Sequence, residues 1–168
     1  MSTSTMTRRR FLIRVTNLGA GAITLMLSIP AIGFLLSPLW QKRQLSWVRV
    51  GEIDSVPVGL PTPFVVSMAV GQGPPTPDVD RVVYVVKQDD GALHILSNTC
   101  THMQCNVHWD PGLGQFLCPC HGGLYDITGA NIGGPPPSPL PQWVHRTMVD
   151  PATGRTVLEV QNQFDESI

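Results

Sequence analysis

Apolar residues follow two patterns along this chain, divided near residue 46. From 15 to 41 no charged side chain occurs over 27 positions, and at ~1.5 Å per residue a helix of that length exceeds the ~30 Å hydrocarbon thickness of a bilayer. The run predicts one membrane-spanning helix over 15–40, kinked at Pro30. The polar flank "QKRQLS" (41–46) is read as a short hinge. From 47 onward the apolar residues come in short β-branched runs: "WVRVGEI" (47–53), "PFVVSMAV" (63–70), "RVVYVVKQ" (81–88), "ALHILSN" (92–98), "WVHRTMV" (143–149) and "RTVLEVQ" (155–161). Gly, Pro and Asp clusters such as "GQGPPTPDVD" and "QDDG" separate them, and no helical periodicity competes. The pattern predicts a mainly β, antiparallel domain over 47–168, with a smaller subdomain inserted at about 98–140 between two groups of strands.

Charge sharpens this division. Residues 1–43 carry six Lys or Arg and no acid, whereas from 44 onward five basic residues face twelve acidic ones, a formal −7. An acidic head of this kind is not a nucleic-acid partner. The segment "TRRRFLIRV" (7–15), within a cytoplasmic stretch read as 1–14, resembles the twin-arginine export signal, with Arg8 and Arg9 as the pair. No A-x-A-like cleavage site follows in "SIPAIGFLLSPLW", so the helix is read as a retained anchor. Arg8, Arg9, Arg10 and Arg14 outweigh Lys42 and Arg43 across the span, which places the N-terminus in the cytoplasm and the head outside, on a prokaryotic plasma membrane.

All four cysteines and three of the five histidines lie in "CTHMQCNVHWDPGLGQFLCPCHGG" (100–123). Cys100 and His102 stand as C-x-H, fifteen residues intervene, and Cys118 and His121 stand as C-x-x-H. Two thiolates and two imidazoles from two loops suit either a tetrahedral zinc ion or an iron–sulfur cluster with two histidines on one iron. His108 fits neither ligand position. His94 and His145 fall in strand patterns and are read as surface or packing residues, with Trp109, Phe116 and Trp143 as core aromatics. From 98 to 140 the full charges are Asp110 and Asp126 alone, a composition suited to docking in an apolar pocket.

"CTHMQC" (100–105) and "CPCHGG" (118–123) resemble the two cluster-binding boxes of Rieske [2Fe-2S] proteins, in particular those of cytochrome bc and b6f complexes. The resemblance implies a Rieske-type β domain with an inserted cluster-binding subdomain. It also implies one [2Fe-2S] cluster, with Cys100 and Cys118 on the inner iron and His102 and His121 on the outer one. Cys105 and Cys120 would form a disulfide tying the loops, Tyr125 would direct its hydroxyl at the Cys100 sulfur, and "GGPPPSPLP" (133–141) would cover the cluster. The implied function is electron transfer in a membrane quinol:cytochrome c oxidoreductase. A quinol hydroxyl would bond His121, with His102 beside it, and the electron would pass to a c-type cytochrome, with a cytochrome b-type subunit and membrane lipid as further partners. Two other readings stay open: the Rieske small subunit of a molybdenum oxidase such as the arsenite-oxidising enzymes, and a structural zinc module.

Two positions depart from the family pattern. Gln104 stands where Gly is usual, and Gly123 stands where relatives of higher potential often carry a Ser that hydrogen-bonds a bridging sulfide. Reduction adds negative charge, so a missing donor lowers the potential. A hydrogen bond to a charged group contributes about 1.5–3 kcal/mol, which for one electron is on the order of 60–130 mV as an upper range. Gly123 therefore points to menaquinol as the donor, and a Ser at 123 is expected to raise the potential.

Overall fold

A computed structural model describes residues 7–40, 45–69 and 78–165. Residues 1–6 of the export-like segment, 41–44 of the expected hinge and the Gly/Pro-rich stretch at 70–77 lie outside the described residues. The chain divides into two units, Met1–Arg43 and Gln44–Ile168.

The first unit is one helix, α1 (Arg8–Trp40), long and apolar enough to cross a membrane. It begins seven residues before the uncharged run, because Arg and Leu are good helix formers and no Gly or Pro interrupts 8–18. It continues unbroken through Pro30. Three of its hydroxyls are returned to its own carbonyls, Thr24 Oγ1 to Ala20 O at 2.9 Å, Ser28 Oγ to Leu25 O at 3.3 Å and Ser37 Oγ to Phe34 O at 2.9 Å, which satisfies these donors without water.

The second unit is antiparallel β. Its strands are β1 (Trp47–Glu52), β2 (Thr62–Ala69), β3 (Asp78–Lys87), β4 (Leu93–Ser97), β5 (His108–Asp110), β6 (Gln115–Cys118), β7 (Gly123–Tyr125), β8 (Asn131–Gly133), β9 (Trp143–Val149) and β10 (Thr156–Phe164). They form three sheets, ordered β1-β10-β9, β2-β3-β4 and β5-β6-β7-β8. The six strands expected from the sequence make up the first two sheets. The third occupies the inserted region, where three-residue strands are too short for an alternating pattern to register.

The central sheet is shared between two cores. Successive strand residues point to opposite faces, so Val83, Val85 and Ile95 pack into one core with Val66, Leu158 and Trp143. Tyr84, Val86 and Leu96 pack into the other with Phe116, Tyr125, Cys100 and Cys118. Burial on both faces explains why β3 reads as the continuous apolar run "VVYVV" rather than an alternation. The inserted subdomain thus stands on the back of the sheet that closes the base. Its entry and exit are pinned by the isolated bridge Leu96–Gln142 and by Ser97 N–H donating to Pro141 O at 2.8 Å. On the base sheet, Arg49–Asp150, Arg146–Glu159 and Arg155–Glu52 are paired at the surface, each contributing at most about 1 kcal/mol.

Candidate metal centre

Two turns at the tip of the inserted subdomain build the site, and they share one skeleton. Gln104 N–H donates to Cys100 O at 3.0 Å and Gly122 N–H to Cys118 O at 3.1 Å. Each turn reaches a left-handed residue four positions after its first cysteine, Gln104 at φ 59° and Gly122 at φ 70°. Glycine adopts that conformation freely, whereas a side chain costs about 1 kcal/mol. Gln104 is therefore a strained substitute at a position whose backbone asks for Gly.

The skeleton sorts the four expected ligands by depth. Cys100 and Cys118 are each 2 % exposed and carry free thiols. Both continue the apolar core under the tip, against Phe116 and Tyr125. His102 and His121 project outward and are exposed, their rings edge to face with centroids 4.9 Å apart. Cys105 and Cys120 are joined as a disulfide across the two turns. The sequence-nominated residues therefore meet at one place, with a sulfur floor and an imidazole rim.

Hydrogen bonds fix the floor. Tyr125, fully buried, donates its hydroxyl to Cys100 Sγ at 3.3 Å and accepts from Thr101 N–H at 3.2 Å. Burial alone pushes the Cys100 thiol up. The Tyr125 hydroxyl, the backbone of His102 and Met103 and the Cys118 side chain outweigh it and hold the thiol below its ordinary range. Burial, followed by the bond to Cys100, pushes the Tyr125 phenol up, so it keeps its proton and remains a donor.

The donor set discriminates between metals. Among the described residues, the sole group of three or more donor atoms within 4.8 Å of one another is Cys105, Cys118 and Cys120, and two of those sulfurs are bonded to each other. A tetrahedral zinc ion with bonds of ~2.0–2.3 Å requires all its donors within roughly 4 Å of one another. The donors of Cys100, His102, Cys118 and His121 are spread more widely. They fit a two-iron group with thiolates on one iron and imidazoles on the other.

Beside His102 the first turn presents an apolar side chain, Met103, which is 65 % exposed. The two acids of the region face inward as turn caps. Asp110 Oδ1 accepts from Gly112 N–H and Leu113 N–H, and Asp126 Oδ1 from Thr128 N–H, Thr128 Oγ1 and Ala130 N–H. The segment 133–141 lies against the second turn and is tied to the first by Thr101 Oγ1, which donates to Ser138 O at 2.7 Å.

The remaining nominated residues are placed elsewhere. His108 is exposed on β5 opposite Leu117, His94 pairs with Gln88 at 2.7 Å, and His145 lies 3.2 Å from Trp143 O. Phe116 and Trp143 are buried, and Trp109 is half-buried with its ring against Phe116. One residue of the site was not read from the sequence, Thr101, although it had a usable signal, a hydroxyl between two expected ligands. Pro136 lies in the segment read as the cover, but its contact with Gly123 had no signal, since it spans thirteen residues of chain.

Residues 46–144 match the family model of the Rieske [2Fe-2S] domain. The chain is similar to the cytochrome b6-f complex iron-sulfur subunit of Chlorobaculum thiosulfatiphilum, 33% identical over 140 residues that cover 83% of this chain and 70% of the relative. It is also similar to the menaquinol:cytochrome c reductase iron-sulfur subunit of Geobacillus thermodenitrificans, 29% identical over 79% of this chain and 80% of that one. Among solved structures, the plasma membrane Rieske protein of Synechocystis PCC 6803 aligns at 27% identity and a TM-score of 0.43, covering 66% of this chain and 96% of that one.

Proposed function

The chain belongs to the Rieske [2Fe-2S] family, and from that premise we propose that Cys100, His102, Cys118 and His121 hold its cluster and that His121, with His102 beside it, receives the proton of a menaquinol. The coarser function is that of the iron–sulfur redox subunit of a cytochrome bc/b6f-type complex. The observation that carries the finer reading is the layering of the site, two buried thiols beneath two exposed imidazoles at an uncharged tip.

When bound, the cluster supplies a one-electron acceptor whose charge sets the acidity of the imidazoles attached to it. The chain's own residues do the rest. The exposed imidazoles of His121 and His102 offer the ring nitrogens left uncoordinated to a quinol hydroxyl, and they hold the proton released as the electron leaves. Met103 gives the rim an apolar surface that excludes water from the contact. Tyr125 keeps its proton on Oη and directs it at Cys100, while Gly123 contributes no second donor. A b-type subunit would form the quinol pocket, a c-type cytochrome would take the electron, and α1 would anchor the head to lipid. The N-terminus would lie in the cytoplasm and the head on the outer side of a prokaryotic plasma membrane after twin-arginine export.

Menaquinol is supported by Gly123 and by the name of the Geobacillus relative. With one of two hydroxyl donors absent, the midpoint potential is expected in the lower or middle part of the Rieske span of roughly −150 to +300 mV. Potentiometric titration of the full chain, with reduction rates by menaquinol and ubiquinol analogues, tests this. A potential near the upper limit, or reduction by ubiquinol as fast as by menaquinol, overturns the donor assignment. Tyr125→Phe removes the remaining hydroxyl donor and is expected to lower the potential by several tens of millivolts, on the order of 60–130 mV at most. An unchanged potential would mean that the 3.3 Å contact does not act on the cluster.

A further inference from the structure

Pro136 alone among the prolines of 133–141 is buried. It lies on Gly123: a Cβ built on that glycine would stand 2.6 Å from Pro136 Cγ and 3.1 Å from its Cδ. Real Cβ atoms do not approach so closely, and a proline ring, fused to its own backbone, has no rotamer by which to withdraw. One turn of chain away, a Cβ on Gly134 would stand 2.5 Å from Gly122 O and 2.8 Å from Gly123 Cα. The segment is thus seated on the bare backbone of the second turn. It is held there from both sides, by Thr101 Oγ1 donating to Ser138 O at 2.7 Å and by Leu140 N–H donating to Gly129 O at 2.8 Å.

We propose that Pro136 is a positioning residue that sets the potential of this chain's cluster by filling the volume a side chain at 123 would occupy, so that neither a hydroxyl nor water reaches that edge. The inference rests on the ligand assignment proposed above, because position 123 follows His121 by two residues and its Cβ would lie 3.4 Å from Cys118 Cβ. Reduction adds one negative charge, and any O–H brought to the edge stabilises the reduced form more than the oxidised one. A proline ring offers no donor and displaces water. Glycine at 123 and proline at 136 therefore lower the potential in the same direction, and they do so as a pair. Serine at 123, expected from sequence alone to raise the potential by its hydrogen bond, does not fit while Pro136 remains.

A double-mutant cycle on the full chain in mild detergent tests the pairing, with cluster absorbance, thermal melting and midpoint potential measured for wild type, Gly123→Ser, Pro136→Ala and the double variant. Pro136→Ala alone is expected to raise the potential, by admitting water. Gly123→Ser alone is expected to melt several degrees lower and to lose part of its cluster. The double variant is expected to regain cluster content and to show the highest potential of the four. Equal tolerance of Gly123→Ser in both backgrounds would overturn the proposal, as would failure of Ala at 136 to rescue it or an unchanged potential in Pro136→Ala. Melting reports the packing whichever quinol is the donor, and donor preference is read separately from the reduction rates, so the two proposals fail distinguishably.

Discussion

Replacing His102 by Ala abolishes the low-g-average EPR signal that a reduced [2Fe-2S] centre with mixed ligands gives. The expectation follows from the placement of the donors. On the proposed assignment two buried thiols would supply two of the four positions a two-iron group requires from protein, and the exposed imidazoles of His102 and His121, whose rings meet at the tip, would supply the other two. Alanine at 102 would leave one iron with a single protein ligand, and the expected effect is loss of the centre rather than a shift of its signal. His121→Ala is expected to behave alike. His108→Ala, which removes an imidazole from the same stretch but from the exposed edge of β5, is the control and should leave the spectrum intact. A His102 variant with an unaltered signal would remove that residue from the ligand set. Purified wild type that is colourless and holds zinc would defeat the cluster assignment as a whole.

The meeting of the two boxes was legible because their chemistry is local: six Cys and His positions in two short segments, brought together at one tip with Cys105 bonded to Cys120. The six longer strands were legible for the same reason, each being five or more residues of β-branched character. The four strands inside 98–140 were not, since β5, β7 and β8 have three residues each and are bounded by Gly and Asp that read only as turns. Gln104 could be noticed as a departure, but its φ of 59° is the reason that position prefers Gly, and backbone conformation is not written in a residue that tolerates it at a cost. The shared role of β3 follows from its run of valines only once both faces are known to be covered. Least legible was the seating of Pro136 on Gly123. A hydrogen-bond argument from sequence treated position 123 as empty space, and the fold fills that space from a segment thirteen residues away.

The second large effect concerns the tie between the two turns. Replacing both Cys105 and Cys120 by Ala is expected to destabilise the head by about 3 kcal/mol, the loop-closure value for a bridge spanning some fifteen residues. For a domain of this size that is a fall in melting temperature on the order of 10 °C. The loss should concentrate at the tip. The first turn is joined to β4 and β5, the second to β6 and β7, and each ligand pair belongs to a different turn, so separation of the turns separates the thiolates from each other and the imidazoles likewise. Weakening that junction by about 3 kcal/mol raises the population of separated turns roughly a hundredfold. Cluster loss to a chelator should accelerate by a comparable factor, well before the base sheets melt. A bond of this kind persists only in an oxidising compartment, so under the export proposed above it would close after the head had left the cytoplasm. Both parts are measurable on the full chain, by melting and by bleaching in the presence of a chelator, with peptide mapping of the unreduced wild type as the prior check. A variant that melts within a degree of wild type and bleaches no faster would show that packing alone, through Phe116, Leu140 and the seated proline segment, holds the turns together.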